Sequence, residues 1–182
     1  FRERWQAGGG ALTEADTKAS IPAADPGPDE SRVVAHKGGF SDTHIKAAYL
    51  KAIYAAEKEI NISNPYFTDP DVMQGLKEAA ARGVKVRVVL PEANDVPVLR
   101  SAARAAYPEL IAAGIEVYEY AGPMAHQKVA TIDGRWSTFG SSNLDARSLE
   151  YNDELNVVSL DAKMADQINE ELFKIDLAKA KR

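Results

Sequence analysis

Alternation between strand-like and helix-like segments is the feature that most limits how this chain can fold. From residue 32 onward, short runs rich in Val and Ile alternate with longer segments whose apolar residues recur at helical spacing. The strand-like runs are "RVVAH", "INIS", "VKVRVVL", "IEVYEY" and "LNVVSL". This alternation favours an α/β fold. We therefore predict a mixed, mainly parallel β-sheet flanked by helices on both faces.

The segments between these strands carry helix signals. One helical face of the first segment is apolar, and it consists of Ile45, Ala48, Tyr49, Ala52, Ile53 and Ala56. Asp69 followed by Pro70 predicts the start of a second helix. A third helix is predicted at about residues 96 to 113, with a break before Pro108. Asp161 is expected to open a C-terminal helix.

Residues 1–31 differ in composition from the rest of the chain. Three consecutive glycines and three prolines lie there among Ala, Asp and Ser, which is typical of a linker. The segment "FRERW" ahead of them is aromatic and basic, and suits the tail of an element in a preceding domain. The start at Phe1 rather than Met agrees with a chain cut from a longer protein. We expect one folded domain at residues 32–182.

Composition excludes several functions. The net charge of −5 argues against broad coating of nucleic acid. The absence of cysteine excludes disulfides and thiolate catalysis. The three histidines are dispersed without metal-ligand spacing, so we expect neither a metal nor another cofactor. No apolar run approaches the ~20 residues needed to span a bilayer.

The segment "HQKVATIDGRWSTFGSSN" concentrates residues that could carry chemistry. If it begins as a strand, His126 and Lys128 project from the same face, because alternate residues do so. Asp133 followed by Gly134 is a strong hairpin signal. The return strand then ends at Gly140, which permits a tight turn. The segment therefore predicts a β-hairpin with polar groups at one end.

These residue types suit the cleavage of a phosphodiester. A neutral imidazole at His126 can attack phosphorus and form a phosphohistidine. Lys128 supplies a positive charge for the phosphate oxygens, and Ser141 and Asn143 supply hydrogen-bond donors. A carboxylate that holds the imidazole in one tautomer would complete the site, and Glu154 is the candidate.

Each residue also has a purely structural explanation. A lone histidine at a strand start is usually packed or on the surface, and Lys128 could be a charge that protects an edge strand. Asp133 is well explained as a turn residue, and "GSSN" is common in loops. The joint arrangement, rather than any single residue, indicates an enzyme.

The ordered motif resembles the phospholipase D superfamily. "HQKVATID" fits the His-x-Lys-x4-Asp pattern of that family, and "GSSN" fits its Gly-Ser-x-Asn. "NLDARSLEYNDELN" resembles the cardiolipin synthase branch, and "YLKAIYAAEKEINISNPYF" resembles the helix and strand that lead to a Pro-Tyr-Phe. The resemblance covers residues 32–182 and implies a phospholipase D-like half.

The resemblance also implies residue roles. His126 would be the nucleophile or the general acid and base, paired with Glu154. Lys128 and Asn143 would bind phosphate, with Ser141 nearby.

Roles are also predicted for three further residues. Asp133 is counted with the catalytic motif, as a structural residue of its hairpin. Tyr66 and Phe67 could line a substrate channel, and core packing explains them equally well.

One departure from the family pattern concerns the number of motifs. The resemblance implies one active site built from two motifs, and this sequence contains one. His44 and Lys46 share the His-x-Lys spacing, but Lys51 stands where an Asp is expected. We interpret both as solvated helix residues. The chain is therefore predicted to be the C-terminal repeat of a two-repeat enzyme. Residues 1–31 would be the tail of the first repeat and a linker. The alternative is that a second copy of the chain completes the site as a homodimer.

The functional expectation is a phosphatidyltransferase or phosphodiesterase that acts on glycerophospholipids through a phosphohistidine, in peripheral contact with the cytoplasmic face of a membrane. The isolated half-site should be nearly inactive. The alternatives are a metal-independent phospholipase D-type nuclease and a non-catalytic half-site domain. Nucleic acid is not a partner in the main interpretation.

Overall fold

Eight strands form one sheet in the computed structural model, which describes residues 31–38, 43–93, 97–122 and 125–182. The strands are β1 Ser31–His36, β2 Glu59–Ser63, β3 Lys85–Pro91, β4 Glu116–Tyr120, β5 Val129–Ile132, β6 Trp136–Gly140, β7 Glu154–Ser159 and β8 Ala180–Lys181. Their order across the sheet is β1-β7-β6-β5-β2-β3-β4-β8. The linker predicted within residues 1–31 falls almost wholly outside the described residues.

The sheet is mixed, as predicted, but it is not mainly parallel. Among the described strands, β2–β3 and β3–β4 are parallel, whereas the pairs β1–β7, β7–β6, β6–β5, β5–β2 and β4–β8 are antiparallel. Parallel neighbours need a long crossover, and helices supply it on the way to β3 and β4. A tight hairpin instead joins β5 to β6, which makes that side of the sheet antiparallel.

Helices lie on both faces of the sheet, which confirms that part of the prediction. They are α1 His44–Ala55, α2 Pro70–Ala81, α3 Pro97–Ala112, α4 Ala162–Ile168 and α5 Lys174–Lys179. The main core forms where α1, α2 and α3 bury Ile53, Leu76 and Leu110. On the other face Phe173, in the π-helical stretch Asn169–Phe173 between α4 and α5, is buried with Val89.

The predicted helix starts are confirmed, and one predicted break is wrong. Asp69 Oδ1 accepts from the backbone nitrogen of Val72 at 2.9 Å, ahead of Pro70 at the start of α2. Pro108, however, lies inside α3 without ending it. The helix continues because Leu110 beyond it is almost fully buried, which offsets the lost hydrogen bond.

One end of the sheet gathers the segments of the predicted site. β2 ends where β5 begins, because Ser63 pairs with Val129. β6 ends where β7 begins, because Gly140 pairs with Asn156. A second π-helical turn, Arg147–Tyr151, lies between β6 and β7. We call this end of the sheet the motif edge.

Candidate active site

His126 and Lys128 lie side by side at the motif edge. Lys128 Nζ is 3.0 Å from Nδ1 of His126 and donates to the backbone oxygen of His126 at 2.9 Å. The imidazole is exposed, whereas Lys128 is only 7 % exposed. The two side chains therefore lie side by side, as predicted, but they do so in the segment just ahead of β5, which begins at Val129. A buried ammonium thus lies against an accessible imidazole.

The Lys128 ammonium lies close to both ring nitrogens of His126, 3.0 Å from Nδ1 and 3.4 Å from Nε2. An ammonium carries donors and no acceptor, so Nδ1 of His126 accepts from Lys128. With Nδ1 as that acceptor, a neutral ring would carry its proton on Nε2, which is itself 3.4 Å from the ammonium nitrogen. An attack through Nε2 therefore requires Lys128 to turn away from the ring first.

Tyr66 and Phe67, predicted as possible channel residues, have different positions. The Tyr66 ring meets the His126 ring edge-on, with centroids 6.3 Å apart and planes at 86°. Phe67 is 1 % exposed and belongs to the hydrophobic core, where it forms a bridge with Leu144. Tyr66 thus borders the imidazole. Phe67 packs in the core, which was the alternative explanation given for it.

Ser141 and Glu154 form a second pair at the same edge. The Ser141 hydroxyl donates to Oε2 of Glu154, and Asn152 Nδ2 donates to Oε1 of the same carboxylate at 3.2 Å. Within the described part of the chain, Glu154 makes no hydrogen bond to His126. The predicted pairing of Glu154 with His126 therefore stays a prediction.

The backbone brings the two pairs close together. The nitrogen of Gly140 donates to the backbone oxygen of Lys128 at 3.2 Å. A Cβ atom at Gly140 would come within 2.3 Å of the Leu155 backbone oxygen and of Asn156 Oδ1. The glycine is therefore required by the close approach of β6 to β7, which brings Ser141 to the motif edge.

Asn143 has one amide atom that the protein leaves unsatisfied. Its Nδ2 donates to Ser148 Oγ at 3.2 Å, whereas its Oδ1 is buried and has no hydrogen-bond partner among the described residues. Exchange of the two amide atoms by rotation would let Ser148 donate to Oδ1 and would leave Nδ2 available to a ligand. Buried polar atoms are nearly always satisfied, so this position suits an anion.

Two buried asparagines that the sequence analysis missed hold the "GSSN" turn. Asn64 Oδ1 accepts from the backbone nitrogens of Leu144 at 3.3 Å and Tyr66 at 3.2 Å. Asn156 Oδ1 accepts from the nitrogen of Ser142 at 3.2 Å. The Asn-Pro after β2 was a visible signal, but it indicated only the end of a strand.

Comparison with known families decides what the fold and the motif represent. Residues 49–175 match the family described as "Cardiolipin synthase, PLD-like domain". This chain belongs to that family. The resemblance that the motif carried in the sequence is therefore confirmed.

Two relatives of this phospholipase D-like domain are longer proteins. It is 38% identical over 128 residues to cardiolipin synthase A of Yersinia pestis and of Yersinia pseudotuberculosis. The match covers 70% of this chain and 26% of the relative. The chain thus spans about a quarter of the length of these relatives.

Solved structures confirm the phospholipase D-like fold. Nuc from Salmonella typhimurium, a phospholipase D family member, has a TM-score of 0.72 and 27% identity. The match covers 84% of this chain and 97% of Nuc. Phosphatidylserine synthase from Haemophilus influenzae shares the fold with a TM-score of 0.67 at 18% identity, and the match covers 89% of this chain and 42% of the synthase.

The aspartate of the family motif has a structural position in this domain. Asp133 Oδ1 accepts from the backbone nitrogens of Lys58 at 2.8 Å and Glu59 at 2.9 Å, and Oδ2 accepts from that of Glu57 at 2.9 Å. Asp133 lies at the opposite end of β5 from His126. Asp133 was counted with the catalytic motif as a structural residue of its hairpin. In the structure it ties the hairpin to the start of β2.

The charge of Asp133 is stabilised by these amides. Partial burial acts to raise the pKa of its carboxyl group, but the three backbone hydrogen bonds outweigh it and hold the pKa below its ordinary value of 3.8. Because the folded pKa is depressed, the stabilisation is present above the unfolded pKa and is lost as pH falls through the folded pKa.

Asp133→Asn should therefore destabilise the domain in a pH-dependent way. We expect the free energy of unfolding to fall by about 2 kcal/mol at pH 7, because the charged acceptor is lost, and the difference to shrink below about pH 4. Asn tolerates the positive φ of 54° at this position, so backbone strain does not contribute. Urea unfolding at several pH values measures this, with the exposed Asp166→Asn as control. An equal loss at all pH values contradicts the explanation.

Lys46, which the sequence analysis interpreted as solvated, is buried in an ion cluster. Its Nζ lies 2.9 Å from Asp69, 2.7 Å from Asp71 and 3.4 Å from Glu150. Burial acts to lower the pKa of Lys46, but hydrogen bonds and charges from Asp71 and Asp69 outweigh it and raise the pKa. The cluster joins α1, the start of α2 and the π-helical turn ahead of β7. The prediction for Lys46 is wrong because the long stem reaches under neighbouring elements, whereas His44 is exposed.

Lys46→Met should destabilise the domain strongly. The Asp69 carboxylate has no exposed surface, so removal of the ammonium leaves a buried charge uncompensated. We expect a loss of about 3 kcal/mol and a fall in Tm of about 10 °C. Lys51→Met, at an exposed position of the same helix, is the matched control and should change stability by less than about 0.5 kcal/mol. Similar Tm values for the two variants would show that the cluster contributes little.

Residues 31–38, 43–93, 97–122 and 125–182 contain neither a metal cluster nor a membrane-spanning helix. These residues contain no group of three or more His, Cys, Asp or Glu that could hold a metal ion. None of their helices combines the length and apolar character needed to cross a bilayer.

Proposed function

We propose that this phospholipase D-like domain supplies one half of a site that transfers or hydrolyses phosphodiesters of glycerophospholipids, by chemistry of the cardiolipin synthase type. The observation that carries the proposal is the accessible His126 imidazole held against the buried Lys128 ammonium at the motif edge. A nucleophile beside a positive charge is what attack on an anionic phosphodiester requires.

Binding of the phosphate group starts the proposed reaction. A phosphate oxygen draws the Lys128 ammonium away from Nδ1 of His126, which then takes the ring proton. Nε2 thereby gains a free lone pair that faces phosphorus. Glu154, once it releases Ser141, can accept from Nδ1 and stabilise the charged imidazole. The unsatisfied amide of Asn143 supplies a further donor to the phosphate.

The transfer then proceeds in two displacements. Nε2 attacks phosphorus, the bond between phosphorus and the leaving alcohol breaks, and that alcohol takes a proton from a general acid. The product is a phosphohistidine. An incoming alcohol, or water, loses its proton to the same group and attacks phosphorus, and the imidazole leaves. An alcohol acceptor gives phosphatidyl transfer, whereas water gives hydrolysis.

The general acid is expected to come from a second unit. His126 is the one exposed imidazole at the motif edge among the described residues. His36, which pairs with Glu154 in the sheet, is only 2 % exposed. Nuc is matched over nearly its whole length and cardiolipin synthase A over a quarter, so related domains occur both alone and within longer chains. The second half therefore belongs to the same longer chain or to a second copy.

An uncovered apolar strip on the sheet supports this pairing. α4 and the segment after it cover the central strands, but Val33, Phe139 and Leu155 remain 64 %, 37 % and 49 % exposed. Val157 pairs with both Val33 and Phe139 in the sheet and joins them into a strip. The strip begins at Leu155, the residue that follows Glu154 in β7. We propose that a second phospholipase D-like half packs on it and brings its own imidazole to the motif edge.

A membrane location follows from the proposed substrate. Glycerophospholipids reside in the bilayer, so we propose peripheral contact with a membrane at its cytoplasmic face.

The proposal is tested by turnover of labelled substrates. Labelled phosphatidylglycerol in vesicles is incubated with the chain alone and with the chain paired with a second half. Both preparations are repeated with the Val157→Asp variant. We expect lipid products from the paired form, less than about 1% of that rate from a proven monomer, and loss of pairing in the variant. Labelled single-stranded DNA runs in parallel. Cleavage of DNA without turnover of lipid would establish the nuclease alternative, and rapid lipid turnover by the monomer would refute the half-site.

A further inference from the structure

A separate apolar groove lies away from the motif edge. It has a volume of about 430 Å³ and runs between α1 and the strands β1, β7 and β6. Its lining consists of Arg32, Val34, Ala48, Lys51, Ala52, Trp136, Val158 and Leu160. The volume falls within the range of sites for small molecules.

The register of the sheet separates this groove from the proposed active site. In the pairing of β1 with β7, Arg32 lies opposite Val158, whereas His36 lies opposite Glu154. Four residues along a strand span ~13 Å. Ligand binding in the groove therefore depends on none of the residues that the proposed function uses.

The groove continues beyond this first volume. A second cavity of about 310 Å³ shares Ala52, Trp136 and Leu160 with it and extends to Ala55 and Ile132. Small side chains on α1 leave this space open, because alanine rather than a larger apolar residue faces the sheet. Together the two cavities give a continuous, mostly apolar lining beside α1, which suits a hydrocarbon chain.

Two cations flank the apolar lining. Arg32 and Lys51 are both exposed, and neither forms an ion pair with any residue that the structure describes. Such positions are notable in a chain with a net charge of −5. An apolar groove with cations at its margin complements an amphiphile that has one hydrocarbon chain and an anionic head.

We propose that this groove binds a long-chain fatty acid, with the hydrocarbon chain along Val34, Trp136 and Val158 and the carboxylate between Arg32 and Lys51. A volume of about 430 Å³ suits one hydrocarbon chain rather than the two of a diacyl lipid. The two cations select an anionic head group over a neutral one. The site is independent of the proposed catalytic residues.

Tryptophan fluorescence tests the proposal directly. The chain has two tryptophans, and Trp5→Phe leaves Trp136, in the groove, as the single emitter. This protein is titrated with chain-brominated hexadecanoate below its micelle concentration, because bromine quenches tryptophan on contact. We expect saturable quenching. Unlabelled fatty acids should compete, and their affinity should rise about twofold with each added methylene, because an open groove buries about half of each methylene. The methyl ester should bind at least about fivefold more weakly, because it lacks the charge.

Variants separate a specific site from general surfactant binding. Arg32→Gln combined with Lys51→Gln should weaken binding about fivefold, the effect expected of two exposed charge pairs. Lys163→Gln, at an exposed position outside the groove, should have no effect. Ala48→Phe should fill the groove and abolish quenching, with circular dichroism to confirm the fold. His126→Ala should bind normally, which keeps this test distinct from that of the active site. Absence of quenching, or quenching equal for the ester and unchanged in the charge variants, overturns the proposal.

Discussion

His126→Ala is expected to lower phospholipid turnover by at least about 10⁴-fold when the domain is assembled with its second half. The substitution removes the atom that forms the bond to phosphorus, and no neighbouring group can replace it. Lys128 cannot, because it is needed as the positive charge. The imidazole is exposed, so the fold should be retained and the unfolding free energy should change by less than about 0.5 kcal/mol.

The matched control for this variant is His44→Ala. His44 has the same spacing to a lysine in the sequence, but it lies at the start of α1 and is exposed. Initial rates on phosphatidylglycerol vesicles should be equal for His44→Ala and the unchanged protein. A His126→Ala protein that keeps more than a tenth of the activity would falsify the assignment of His126 as the reacting group.

Lys128→Met is expected to lower turnover by about 10²- to 10³-fold, the typical effect of losing one fixed donor to a developing anion. Methionine matches the length of the lysine stem and suits a position that is 7 % exposed, so packing should be preserved. The loss should appear in kcat as well as in kcat/KM, because the ammonium interacts most strongly where charge develops.

Lys174→Met is the control for general effects of charge, since Lys174 is exposed and pairs with Glu170 within a helix. It should leave the kinetics unchanged. Measurement of kcat and KM over a range of vesicle concentrations separates a weaker attraction to an anionic surface, which raises KM alone, from the loss of catalysis that we expect. Unchanged kcat in Lys128→Met would contradict the role of the ammonium.

Local turn chemistry explains the parts of the fold that the sequence predicted well. Asp133 and Gly134 adopt positive φ angles of 54° and 63°, conformations that few other residues reach without strain. The hairpin therefore forms where those two residues stand, and its first strand, β5, begins directly after the segment that carries His126 and Lys128. These features depend on near neighbours in the chain and are visible in the sequence.

Features that depend on distant contacts were not predictable in the same way. The order of the strands, and hence the antiparallel pairing of most of the sheet, is decided by which surfaces pack together. Pro108 remains inside α3 because a core residue beyond it is buried. Lys46 is buried because three carboxylates from other elements converge on it. None of these contacts has a signal near the residue itself.

In the candidate site, too, local features were predictable and distant contacts were not. His126, Lys128, Ser141 and Glu154 lie at the motif edge, whereas Asp133 lies at the other end of β5. The hydrogen-bond partners of these residues could not be deduced from the sequence. Glu154 contacts Ser141 rather than His126. Asn64, just after β2, and Asn156, in β7, hold the turn. A single sequence shows which chemical groups are present. It does not show which of them a folded backbone orients towards one another.

The most direct test of the account is diffraction from crystals of the domain soaked in tungstate, a tetrahedral anion that is easily located. The account predicts an anion at the motif edge, with oxygens about 3 Å from Lys128 Nζ and the Asn143 amide, and with the metal atom facing Nε2 of His126. An anion bound elsewhere, or these three side chains directed away from a shared anion, would contradict it.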